Sequence, residues 1–231
     1  MLSPAGKELE MAIYDFHTHT TLSDGGLLPI ELIRRAHVKG YKAIGVTDHA
    51  GAGTMERVIR EVRADCELAS RAWGIHAFAG VELTHVPAAD IAALAKKAKV
   101  LGAQIVVVHG ETPVEPVEPG TDRAAVLSPD VDVLAHPGFI TEEEAELANK
   151  NGIFIEISAR RGHSLTNGHV AKMALLAGAS MLVNSDAHAP GDLLDEVMIK
   201  KVALGAGLSE ADYRKAAEEN PLILCRKLVG R

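Results

Sequence analysis

The sequence predicts an α/β fold in which seven strands alternate with helices and close into a barrel. Three observations predict it. Short runs rich in Val, Ile and Leu alternate with longer amphipathic stretches. A glycine follows most of the helical stretches. Nearly every apolar run ends on a His, Asp or Glu. Short runs apolar on both faces are the mark of buried parallel strands.

Strand one is expected at 13–16, followed by a helix over 29–39 with Pro29 in its first turn and Gly40 just beyond its end. Pro fits the first helical position and Gly the C-terminal cap. Strand two at 43–46 leads to a helix over 55–72, ended by Gly74. Strand three at 77–81 leads to a helix over 88–101, entered at Pro87 and closed by Gly102. Strand four at 105–108 leads into 109–130, where Pro113, Pro116, Pro119, Gly110 and Gly120 predict an irregular loop before a short helix at 122–127. Strand five at 131–134 precedes a helix over 142–150 with Gly152 after it. Strand six at 153–157 precedes a helix over 167–177 closed by Gly178. Strand seven at 181–183 precedes a helix over 192–204. The stretch 209–228 reads as helix broken at Asn220-Pro221. No linker or low-complexity tract interrupts the chain. One domain over 1–231 is expected, with its motifs within 13–190 and C-terminal helices in 191–231.

The 231 residues carry 24 Lys+Arg against 31 Asp+Glu, a net charge of −7, and 47% are hydrophobic. An acidic balance with 3% aromatic residues argues against a long nucleic acid or an anionic membrane as partner. Cys66 and Cys225 match no metal or redox spacing and fit a reducing compartment. Lys7, Glu8 and Glu10 interrupt any secretory signal, and the longest apolar run, 173–183, is too short to span a bilayer. A cytoplasmic protein is expected.

The strand ends decide between an open sheet and a barrel. His17 and His19 follow strand one, Asp48 and His49 strand two, Glu82 strand three, His109 strand four, His136 strand five, and Asp186 and His188 strand seven. Strand six ends differently, at Ser158-Ala159-Arg160. An open sheet places its ligand at one switch point, whereas a barrel gathers all strand ends at its C-terminal face. Residues two apart on a strand point the same way, so His17 and His19 can reach one ion. Buried imidazoles and carboxylates are costly unless something compensates them. A donor set of imidazole and carboxylate without thiolate suits Zn²⁺, Mn²⁺ or Fe²⁺.

These residues resemble the PHP (polymerase and histidinol phosphatase) family. The resemblance is carried by His17-Thr18-His19 with Ser23-Asp24-Gly25, Thr47-Asp48-His49, Gly80-Val81-Glu82, His109, Ala135-His136-Pro137 and Ser185-Asp186-Ala187-His188, in the family's order. It implies a distorted (β/α)7 TIM-like barrel and two to three divalent transition-metal ions. His17, His19, Glu82 and Asp186 would hold the first ion. Glu82, His109 and His136 would hold the second, with Glu82 bridging. Asp24, His49 and His188 would hold the third. Asp48 is not a ligand by this match and would orient its neighbours.

A cluster of divalent ions suits phosphate-ester hydrolysis, with a metal-bound hydroxide as nucleophile. The expected activity is a small-molecule phosphomonoesterase, similar to histidinol phosphatase. The alternatives are a phosphodiesterase or 3′–5′ exonuclease, a nucleotide phosphatase, a protein tyrosine phosphatase, and a non-catalytic metal-binding domain. An amidohydrolase-like activity is disfavoured because the metal-bridging lysine usual in that superfamily is absent. Strand alternation makes Arg160 the candidate phosphate clamp. His85 and His163 are candidates to protonate the leaving group, while His37, His76 and His169 fall outside the pattern. Glu111, Glu115 and Glu118 make 110–121 either a lid for a cationic substrate or a solvated acidic loop.

Overall fold

The structure is a computed structural model describing residues 12–230. The expected leader-disrupting charges at Lys7, Glu8 and Glu10 lie outside the described residues. Eight strands are present among them: β1 (Ile13–Asp15), β2 (Tyr41–Val46), β3 (His49–Ala50), β4 (His76–Leu83), β5 (Ile105–His109), β6 (Val133–Ala135), β7 (Phe154–Ser158) and β8 (Met181–Asn184). All pair in parallel, in the order β1-β2-β4-β5-β6-β7-β8, with the two-residue β3 extending the β2 side against β4. Helices α1 (Pro29–Val38), α2 (Met55–Trp73), α3 (Ile91–Val100), α4 (Thr121–Val126), α5 (Glu142–Asn151), α6 (Asn167–Ala177) and α7 (Glu196–Gly205) return the chain between strands or follow the last one.

The barrel closes at its rim. Thr18 bridges Ala187, and the His19 amide donates to the Ala187 carbonyl at 2.8 Å. Below that point side chains replace the ladder. Asn184 Oδ1 accepts from the Phe16 amide at 3.0 Å, and the Asp15 carboxylate accepts from the Ser185 amide at 3.2 and 3.3 Å.

Phe16, just beyond β1, and inward residues of the strands, including Phe78, Ile105, Val107, Phe154 and Leu182, fill the barrel. Gly80 is required by this packing, because a Cβ there would collide with the Ile105 side chain and carbonyl. A second, larger core lies between the strands and the surrounding helices. Helix α9 (Asn220–Val229) places Leu224, Cys225 and Leu228 against the filling of the barrel.

Two expectations about the C-terminal part are corrected. Asn220-Pro221 does not break the helix. The chain runs from α8 (Glu210–Arg214) through a π turn (Lys215–Glu219) directly into α9. Proline lacks an amide proton and crowds the carbonyl four residues earlier; the wider π turn makes room for it. The helix expected from 192 begins at Glu196, where Asp195 Oδ1 caps the Met198 amide at 2.8 Å. Leu193 and Leu194 are buried, and their carbonyls accept from Lys39 Nζ and Tyr41 Oη. Among the described residues no helix is long and apolar enough to cross a membrane.

Candidate metal centre

Strands β1, β4, β5, β6 and β8 each turn a His, Asp or Glu at or just past their ends into the barrel mouth, and His49 of β3 joins them. Three of the turns use unusual backbone: His85, His136 and Asp186 have φ of 52°, 30° and 52°. Left-handed backbone is uncommon outside glycine, and it persists where the surroundings enforce it. At His136 and Asp186 it swings the side chain inward directly after the strand. Gly25 is needed for a different reason. The 20–25 loop passes so close to His19 that a Cβ on Gly25 would strike the His19 carbonyl.

The nine sequence-identified donors come together. His17 Nε2 lies 3.0 Å from His19 Nε2, which lies 3.2 Å from Asp186 Oδ1, and Glu82 Oε1 is 3.4 Å from His17 Nε2. The same Glu82 oxygen is 3.3 Å from His109 Nδ1 and 3.4 Å from His136 Nε2. Asp24 stands between His49 Nε2 at 3.6 Å and His188 Nε2 at 3.2 Å, with His19 Nδ1 at 3.9 Å. Glu82 touches more of the set than expected, since its second oxygen meets His49 Nδ1 at 2.5 Å. Asp24 is half exposed, whereas His17, His19, Glu82, His109, His136 and Asp186 are buried.

The outer nitrogens fix which ring nitrogen faces the centre. His17 Nδ1 meets Glu156 at 2.8 Å, His109 Nε2 meets the Glu115 carbonyl at 3.4 Å, and His188 Nδ1 meets the Asp186 carbonyl at 2.9 Å. A carbonyl or carboxylate only accepts, so each of these rings keeps a proton on its outer nitrogen, and the inner nitrogen is the one that would face an ion. That second layer is what metal-ligating histidines use.

Charge is balanced by protons. Burial disfavours a charged His17, but Glu156, Asp186 and Glu82 outweigh it and hold the ring well above its usual range. His49, likewise opposed by burial, is raised to about 10 by Glu82 and Asp24. Burial lowers His19 to about 4, so it accepts where His17 donates. Burial would raise Glu82, yet His17, His49 and His109 hold it well below the carboxylate range.

His19 Nδ1, Glu82 Oε1, His136 Nδ1 and Asp186 Oδ1 are buried and make no hydrogen bond of good geometry. Donor sets of three and four residues lie with their ligand atoms within 4.8 Å of one another, including His17–His19–Asp186, His49–Glu82–His109 and His19–Asp24–His49–His188. Buried, unsatisfied nitrogen and oxygen donors without sulfur fit first-row divalent ions.

Asp48 stays outside the cluster. Its oxygens accept from the Thr20 amide and hydroxyl, both at 2.7 Å, and from the Ser23 amide and hydroxyl at 3.1 and 2.7 Å. It thereby fixes the loop that carries Asp24. Glu156, which orients His17, had no site role in the sequence reading; its signal was a lone carboxylate in the buried run of β7. Arg160 Nη1 donates to the Asp186 carbonyl at 3.4 Å, with Nε 3.8 Å from the Asp186 carboxylate. It borders a cavity of about 580 Å³ that opens beside Asp186 and runs on past Arg161 and Lys39.

His163 is buried at the mouth, stacked on His136 with ring centres 4.1 Å apart, and burial together with His136 lowers it to about 4. His85 is half exposed, 3.3 Å from Glu115 Oε1. The three loop carboxylates do not form a common lid. Glu111 accepts from the Gly120 and Asp122 amides and Glu118 from the Ala88 amide, so Glu115 alone faces the mouth. The remaining histidines stand apart: His37 stacks on Trp73, His76 on Phe78, and His169 bonds the Ile140 carbonyl.

The PHP domain model matches residues 15–115, which carry the donors from His17 to His109. An uncharacterized protein of Methanocaldococcus jannaschii is 50% identical over 216 residues, covering 93% of this chain and 99% of its own. A probable phosphatase of Thermoanaerobacter sp. is 29% identical over 216 residues, covering 86% and 88%. Among solved structures, the metal-dependent tyrosine phosphatases YwqE of Bacillus subtilis and CpsB of Streptococcus pneumoniae share the fold, with TM-score 0.60, 17% identity and 93% and 95% coverage. With its strand-end donors gathered at one barrel mouth and its likenesses running along almost the whole length, the chain belongs to the PHP domain family.

Proposed function

We propose that the protein is a metal-dependent hydrolase of small phosphate monoesters, similar to histidinol phosphatase. The observation that carries this reading is the convergence of donor sets on Glu82 and Asp186 in one buried cluster. His17, His19, Glu82 and Asp186 would hold one ion; Glu82, His109 and His136 would hold a second; Asp24, His49 and His188 would hold a third. Divalent zinc, manganese or iron held there would supply Lewis acidity toward water and phosphate oxygens.

The rest of the work falls to the chain. Glu156, the Glu115 carbonyl and the Asp186 carbonyl aim the rings, so the donor geometry exists before substrate arrives. Arg160, at the rim beside Asp186, binds a phosphate oxygen that the ions leave free. The adjoining cavity of about 580 Å³ has room for a small organic group. Glu115, between His85 and His163, is the loop carboxylate placed to meet a cationic substituent. The net charge of −7 counts against a long nucleic acid as substrate.

A phosphate-release screen tests this. The panel comprises histidinol phosphate, a neutral sugar phosphate, dinucleotides and a phosphotyrosine peptide, each with Mn²⁺, Zn²⁺ and Ca²⁺. We expect monoesters to be preferred, chelation to abolish turnover, and Mn²⁺ or Zn²⁺ to restore it better than Ca²⁺. Full activity in metal-free protein, or preference for dinucleotides, would overturn the reading.

A further inference from the structure

His163 differs from His17, His109 and His188 in what its outer nitrogen meets; His49 Nδ1 also lies beside a threonine hydroxyl, that of Thr84 at 2.7 Å, but it meets the Glu82 carboxylate as well. His17, His109 and His188 turn that nitrogen to groups that only accept, namely the Glu156 carboxylate and the Glu115 and Asp186 carbonyls. His163 Nδ1 instead lies 2.9 Å from the Thr112 hydroxyl. A hydroxyl can donate or accept, so the proton must be assigned by accounting.

Thr112 is 1% exposed, and among the described residues its hydroxyl has no other side-chain or backbone partner. If it accepted from Nδ1, its own proton would be buried without a partner. If it donates to Nδ1, both groups are satisfied. Nδ1 then uses its lone pair, and the single proton of a neutral ring sits on Nε2. This is the reverse of a ligand histidine, whose inward nitrogen needs a lone pair.

The ring is also fixed in place. It stacks on His136 with ring centres 4.1 Å apart and planes 25° apart, and its ligand-type nitrogen falls within 4.8 Å of donor atoms of His136 and Asp186. Nε2 makes no hydrogen bond among the described residues; the nearest carboxylate, that of Glu115, is 3.9 Å away. The loop that supplies Thr112 is braced against the His163 loop, since Gly162 abuts Val114.

We propose that His163 is a neutral hydrogen-bond donor, set by Thr112, that presents Nε2–H to a phosphoryl oxygen of the substrate at the metal centre. It is neither a further metal ligand nor the acid that protonates the leaving group. The proposal rests on the phosphoesterase reading for its ligand, and on Thr112 for its tautomer. A dianionic phosphate accepts such a bond without any proton changing hands, so ester bonds to good and poor leaving groups benefit alike.

The test uses ¹⁵N-histidine-labelled protein loaded with Zn²⁺, observed by long-range proton–nitrogen NMR, with inorganic phosphate as probe. We expect the Nε2–H tautomer at His163 and a shift of that signal as phosphate is added. Thr112→Val should unsettle the tautomer while metal content stays the same. His163→Ala should keep its metal and weaken phosphate binding roughly ten- to a hundredfold, the range for a bond to a charged group. His163→Gln, which retains an N–H near the same position, should recover most of that loss. His163→Ala should slow para-nitrophenyl phosphate and an alkyl phosphate by the same factor. An Nδ1–H tautomer, loss of an ion in His163→Ala, or a larger effect on the alkyl ester would overturn the proposal. If the wild-type protein cleaves neither ester, the phosphoesterase reading fails by itself. The tautomer and phosphate titration then still decide the donor role, and absence of a phosphate-induced shift at His163 refutes it.

Discussion

Glu82 is where the candidate centre is most easily broken. One oxygen lies within 3.4 Å of His17, His109 and His136, and the other within 2.5 Å of His49. Replacing it by glutamine keeps the shape and removes the charge, and an amide bridges cations poorly. Two ions should therefore be lost together from Glu82→Gln, and activity with them. Asp24 touches His49, His188 and the far side of His19. Asp24→Asn should lose one ion, and activity should return in part at raised metal concentration. Elemental analysis and anomalous diffraction on both variants provide the check; loss of one ion from Glu82→Gln would show that the bridge lies elsewhere. Apart from Asp24, which only the family resemblance pointed to, the donors were legible in sequence because they stood at the ends of apolar runs. Glu156 was not, because its role depends on which face of β7 turns into the barrel and on His17 arriving 139 residues away. Nor did the sequence disclose the left-handed backbone at His136 and Asp186, which only the crowding of the mouth imposes.

At the level of elements, hydrophobic period and glycine caps located strands and helices well, since both are local. Non-local contacts set the exceptions. Leu193 and Leu194 stay extended because Lys39 and Tyr41 hold their carbonyls. Asn220-Pro221 stays helical because a π turn precedes it and Asn220 Nδ2 donates to the Met181 carbonyl at 2.9 Å. Helix α9 thereby brings Leu224 and Leu228, both fully buried, against the filling of the barrel. Leu228→Ala should leave a cavity there and cost about 2–5 kcal/mol. Urea denaturation should record that loss while metal content and turnover of the folded fraction stay unchanged. A variant as stable as the parent would mean that α9 is not part of the core.

Across the whole molecule, the barrel was legible from the distribution of polar strand ends, but the manner of its closure was not. Side chains of Asp15 and Asn184 do at the seam what backbone pairing does elsewhere. The closed rim confines carboxylates and imidazoles together, and protons settle their charge. An unperturbed histidine titrates near 6.5, so at pH 8 it would be deprotonated already and release nothing on binding an ion. His49 is held protonated up to about 10, against the effect of burial, by Glu82 and Asp24, and His17 is raised in the same direction by Glu156, Asp186 and Glu82. A ligand nitrogen must give up its proton to a cation. Metal uptake at pH 8 should therefore release protons, and apparent affinity should keep rising with pH well above 6.5, by about tenfold per pH unit for each proton released, until His49 itself titrates near 10. Calorimetric titration of metal-free protein with Zn²⁺, in buffers of different ionisation enthalpy, counts those protons. His49→Asn should lower the count by one. A count of zero at pH 8, or one that His49→Asn leaves unchanged, would show that the metal-free cluster is balanced by something other than the protons on these rings.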